Sequence, residues 1–66
     1  MEVTINGEKR QIPDTISLEG LLESLQLKQD RVAVELNRQI VRRERWAETQ
    51  LQNSDRLEIV HFVGGG

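Results

Sequence analysis

Two hydrophobic periods alternate along this chain, and each change from one to the other marks an element. Met1, Val3 and Ile5 alternate with Glu2 and Thr4, the period of a strand with one buried face. Asn6-Gly7 follows, and both residues accept the positive φ of a type I′ hairpin turn. The return stretch Glu8 to Ile12 has four polar residues in five. So polar a strand belongs at a sheet edge, where charge discourages pairing with other chains. Pro13-Asp14-Thr15 breaks it. The period then changes. Leu18, Leu21, Leu22 and Leu25 fall at i, i+3, i+4 and i+7, the stripe of an amphipathic helix. Ser17 is its expected N-cap, Glu19 favours the positive end of the helix dipole, and the helix is expected to end near Gln26 with Leu27 folding back onto the core. Gly20 inside the helix points to a close approach, expected from a strand.

Strand alternation returns with Val32, Val34 and Leu36 on one face and Ala33 and Glu35 on the other. Asn37-Arg38 can turn the chain into a short strand, Gln39-Ile40-Val41. Glu44 to Glu48 lacks a strand period and predicts a helical turn, with Trp46 in the core above Leu51. Asn53-Ser54-Asp55 is a turn cluster before a last strand, Leu57 to Val63. The order is β-β-α-β-β-β, an α+β arrangement with one main helix on one face of a mixed sheet. With the last strand parallel to the first in mid-sheet, the layout is a β-grasp. Leu57 and Ile59 can face the helix, yet Val60 and Phe62 on the opposite face are also apolar. The single helix leaves that face uncovered, so Val60, Phe62 and Ala33 are expected to form a solvent-facing patch for a partner.

Sixty-six residues make one domain with a small core. The chain has no cysteine, so it offers no disulfide, thiolate metal site or cysteine nucleophile. That composition suits a reducing compartment, and with no apolar leader or spanning run the expected location is the cytoplasm. Nine basic and eleven acidic residues give a net charge of −2 with interspersed signs, which argues against nucleic acid or a membrane surface as partner. Arg38, Arg42, Arg43 and Arg45 crowd one stretch, but Glu35, Glu44 and Glu48 lie among them, and a solvated edge is the reading. His61, without a visible partner, reads as a surface or interface residue.

The last strand runs directly into Gly64-Gly65-Gly66. Residues 1–63 are expected to form the folded domain and 64–66 a flexible tail. Glycine carries no Cβ, so such a tail can pass a gap too narrow for side chains. Extended, three residues reach about 10 Å and present one group, the α-carboxylate of Gly66. By itself, the tail reads more readily as a frayed terminus.

Taken in order, Val32-Ala33-Val34-Glu35-Leu36-Asn37, Ile40-Val41, Trp46-Ala47, the turn ending in Asp55, and Gly65-Gly66 resemble the thiamine-biosynthesis sulfur carrier family, whose members are ubiquitin-like β-grasp proteins. The resemblance covers nearly the whole chain. It departs from the family where Arg42 stands in place of a common proline and Ser54 in place of a common glycine, which makes Asn53 the candidate for the left-handed turn position. The resemblance implies a carrier rather than an enzyme. In the family a ubiquitin-activating-like adenylyltransferase uses ATP with magnesium to adenylate the terminal glycine, here Gly66. Sulfur from a donor such as a cysteine desulfurase system then gives a thiocarboxylate, which thiazole synthase consumes. No cofactor is expected on the carrier itself, and no metal. Alternatives of related shape are the sulfur carrier of molybdopterin synthesis, which is usually longer, a ubiquitin-like modifier, and a plain binding module.

Overall fold

The computed structural model describes residues 1–62, so Val63 and the three glycines lie outside the described residues. Five strands and one helix follow the expected order: β1 (Glu2–Ile5), β2 (Glu8–Gln11), α1 (Leu18–Ser24), β3 (Val32–Leu36), β4 (Gln39–Val41) and β5 (Arg56–His61). The strands form one mixed sheet in the order β2-β1-β5-β3-β4. The first and last strands pair in parallel at its centre, Thr4 opposite Arg56 and Ile5 opposite Leu57. Both hairpins and the β3–β5 pairing are antiparallel. This is the β-grasp arrangement.

Local chemistry accounts for each turn. Asn6 and Gly7 take φ of 49° and 85°, and Asn37 and Arg38 take 51° and 70°. Those left-handed pairs match the twist of the strands they join. Strand β2 is exposed at all four positions, as its polarity required of an edge. The Ser17 hydroxyl accepts from the Gly20 amide at 3.0 Å and caps α1.

The helix ends at Ser24 with Leu25 as its C-cap, just before the expected Gln26. Gln26 adopts φ 59°, its amide donates to Glu23, and the Leu27 amide donates to Leu22. These are the paired bonds of a Schellman cap, built without the usual glycine. Leu27 does return to the core, half-buried. Gly20 is crowded by the loop before the helix rather than by a strand. A Cβ there would meet Ile16 Cγ1 at 3.2 Å and Ser17 Oγ at 3.4 Å.

Helix side chains Leu18, Leu21 and Leu22 bury against Val3, Ile5, Val32, Val34, Leu57 and Ile59 of the sheet. Trp46 and Leu51 complete that core. Trp46 stands on a 3-10 turn, Arg43–Glu48, and its indole Nε1 donates to the Val41 carbonyl at 2.9 Å. A large ring is thereby buried with its one polar atom satisfied. The turn before β5 departs from expectation in one detail. Ser54 itself takes the left-handed conformation at φ 74°, while Asn53 accepts the Glu2 amide through Oδ1 at 2.9 Å.

Candidate functional site

Alternation along β5 separates two surfaces. Leu57 and Ile59 point into the core, whereas Val60 and Phe62 are 58% and 54% exposed on the face away from the helix. Ala33 lies directly across from Val60 in the β3–β5 register and is half-buried. The structure thus brings together two of the three predicted patch residues and places Phe62 two positions further along the same face. Gly64, Gly65 and Gly66, the predicted tail and reacting terminus, lie outside the described residues.

One apolar residue of this face is absent from the sequence expectation. Ile40 is 77% exposed, more than either Val60 or Phe62. The β3–β4 hairpin sets it opposite Glu35, which puts it on the outer face with Ala33. The signal was present in Asn37-Arg38: a two-residue turn there fixes the register, and the register fixes the face. Ile40, Ala33, Val34 and Val60 line a shallow groove of about 90 Å³ with Glu35 and Glu58 at its border.

Glu35 and Glu58 face one another across β3 and β5. Like charges placed so oppose the pairing of their strands. Arg38 and Arg56 border an adjoining hollow with them. The ion pairs among the described residues lie elsewhere: Met1 ammonium with Asp14, Arg10 with Glu8, and Arg45 with Glu48. The outer face therefore combines an apolar strip with charged groups of both signs.

His61 is exposed on the helix side of the sheet, in a hollow it shares with Ile5, Asn6, Arg10, Leu25, Leu27 and Ile59. This agrees with a surface residue. Arg38, Arg42, Arg43 and Arg45 are all exposed, the solvated edge that mixed charge predicts. Among the described residues no group of three or more His, Asp or Glu side chains is placed to hold a metal ion. Nor, among the described residues, is any helix long and apolar enough to cross a membrane.

A β-grasp domain with an uncovered apolar face defines a class, the ubiquitin-like proteins. The sequence profile of the ThiS family matches residues 3–66. The chain is 49% identical over 53 residues to the sulfur carrier protein ThiS of Bacillus subtilis, covering 80% of each. A crystal structure of the thiamine biosynthesis protein ThiS from Geobacter metallireducens superposes with a TM-score of 0.86 at 32% identity over all of both chains. A thiazole synthase of Magnetococcus marinus is 41% identical over 66 residues, and there the chain spans only 20% of the relative's length. The chain belongs to the ThiS family, the family its sequence segments resemble.

Proposed function

We propose that the chain carries sulfur as a thiocarboxylate on Gly66 and delivers it to a thiazole synthase for the thiazole ring of thiamine. The observation that carries this reading is the family match, which runs through to Gly66. The relatives named sulfur carrier protein and the solved thiamine biosynthesis protein support it. So does the thiazole synthase relative, in which a stretch similar to this whole chain belongs to one larger polypeptide.

The terminal carboxylate is an anion at neutral pH, with a reference pKa of about 3.5. It resists nucleophiles but can attack phosphorus itself. In the proposed sequence one Gly66 carboxylate oxygen attacks the α-phosphorus of ATP on an adenylyltransferase, and pyrophosphate leaves. A persulfide sulfur then attacks the Gly66 carbonyl carbon and AMP leaves. A second thiol attacks the resulting disulfide, releasing the thiocarboxylate and a new disulfide. The domain's part is binding and presentation. Val60, Ala33, Phe62 and Ile40 supply an apolar surface on the face that β5 shares, so docking and delivery of the terminus are coupled through one strand.

The test is the intact mass of the protein isolated from a cell making thiamine. The carrier gains one sulfur in exchange for one oxygen, and the change maps to Gly66. Conjugates branched through lysine would replace this reading with that of a protein modifier.

A further inference from the structure

The groove on the outer face is too small for a small-molecule ligand. Its volume is about 90 Å³, where pockets for drug-sized ligands run to about 300–1,000 Å³. It offers a seat to a side chain instead, since Ile40 and Val60 are largely exposed along it. Its chemical preference comes from its border, Glu35 and Glu58.

These two carboxylates cannot part by a slip of register. β3 pairs with β5 without a break from Val32 opposite His61 to Leu36 opposite Leu57. On the other flank the Asn6 amide donates to the Leu57 carbonyl at 2.9 Å. The Asn6 carboxamide bonds the Ile59 amide and carbonyl at 2.7 and 3.1 Å. Glu58 is thus held on both sides, exposed and directly opposite the exposed Glu35. Along the outer face of β5 the order is Arg56, Glu58, Val60. Arg56 and Arg38 border the hollow of about 220 Å³ with Thr4 and Gly7, and the apolar groove has no arginine in its lining. Neither glutamate and neither of these arginines joins an ion pair among the described residues. The groove therefore meets two unpaired carboxylates, with the cations only beyond them.

We infer that this groove seats an apolar side chain of thiazole synthase that has a Lys or Arg beside it, the cation reaching between Glu35 and Glu58. The inference rests on the function proposed above and names what the docking face selects. An aliphatic side chain laid against Ile40 and Val60 removes water from the two carboxylates at the border. Opposed carboxylates that lose water need a cation, because buried like charges without one are costly. A neutral or acidic residue in that place leaves them uncompensated, so the pair rejects wrong partners as well as admitting the right one. The thiazole synthase relative supports this choice of partner, since a stretch similar to this chain belongs to the same polypeptide there.

The experiment titrates the full chain into the thiazole synthase of the same organism by calorimetry, at low and at high salt. Kd should rise about tenfold in Glu35→Gln and in Glu58→Gln, and about a hundredfold in Glu58→Lys. All three variants should unfold about 2–4 °C higher than the wild type, because each removes the opposition of like charges. Weaker binding together with higher stability separates a docking role from a structural one. Arg38→Gln, beyond the carboxylates, should bind at least as tightly as the wild type. Added salt should weaken wild-type binding more steeply than that of the Glu35→Gln, Glu58→Gln double variant. Wild-type Kd in both glutamine variants, an equal loss in Arg38→Gln, or a Tm that falls with binding overturns the inference and leaves the carrier reading in place. So does a dimer of the chain alone that Glu58→Lys abolishes, since the groove would then seat a second copy. A wild-type chain that does not bind the synthase overturns it too, and the mass change at Gly66 then decides separately whether the carrier reading stands.

Discussion

Asn37 donates through Nδ2 to the buried carboxylate of Asp55 at 2.9 Å, joining two turns eighteen residues apart. The other Asp55 oxygen accepts the Gln52 amide at 2.7 Å, and Asn37 Oδ1 accepts the Arg56 amide at 2.9 Å. Asp55 thereby satisfies a donor from each of the two turns, and Asn37 reaches the backbone at the start of β5. Asp55→Ala removes the acceptor and strands two donors, so it should destabilise by about 2 kcal/mol. Asp55→Asn, which keeps one acceptor, should lose less. Urea unfolding followed by Trp46 fluorescence measures both.

Two departures from the family pattern give substitutions that should cost no stability. Ser54 holds φ 74°, which glycine adopts without strain, so Ser54→Gly should stabilise by about 0.5–1 kcal/mol. Arg42 already has φ −66° and an extended ψ of 146°, the geometry of proline. Arg42→Pro should be neutral or stabilising by up to about 1 kcal/mol. Thermal unfolding of the single and double variants checks both, and a lowered Tm for Ser54→Gly would contradict the turn described.

Leu22 is wholly buried between helix and sheet. Its replacement by Ala should destabilise by about 2–5 kcal/mol, enough to unfold much of so small a domain at 37 °C. Circular dichroism and unfolding midpoints report it.

On the outer face the expected effects reverse: binding changes and stability does not. Phe62→Asp and Ile40→Asp should fold normally, since both side chains are more than half exposed. Each should weaken a complex with thiazole synthase or adenylyltransferase, and a central anchor contributes about 2 kcal/mol or more. Calorimetric titration separates the two residues. Binding unchanged in both variants would move the docking surface elsewhere.

The glycine end tests the carrier chemistry. One residue added after Gly66 displaces the reacting atom by about 3.5 Å, and Gly65→Val adds a branched side chain while the terminus keeps its place in sequence. Thiocarboxylate formation should collapse in both variants with Tm unchanged. Thiolation of either at the normal rate would rule out a glycine-only channel.

Where burial and period coincide, the sequence was sufficient. The leucine stripe of α1, the alternation of β1 and β3, and the polar edge β2 each state their face directly. The misreadings came from positions where local signals compete. Gln26 closes a Schellman cap that usually announces itself by glycine, so the helix end was placed late. Asn53 has the higher left-handed tendency, yet its side chain is engaged by Glu2 and the strain falls on Ser54. Ile40 was readable only through register, because a three-residue strand has too few positions to display a period. Asn6 looked complete as a turn residue, and its bond to Ile59 depends on a parallel pairing that no local pattern encodes.

The central place of the β1–β5 pair has a consequence for how the domain comes into being. The first and last strands of the domain pair beside one another in the sheet interior, so closure of the sheet must await nearly all of the domain. Such long-range pairing slows folding relative to a helical domain of the same size. On the ribosome, the β1–β2 hairpin and α1 emerge early but have no central strand to bury against until β5 is released. A chain broken off before β5 therefore leaves its leucines uncovered and open to degradation. Completion of the body and possession of the strand leading to Gly66 become a single event, and a truncated copy cannot occupy a partner as a folded decoy.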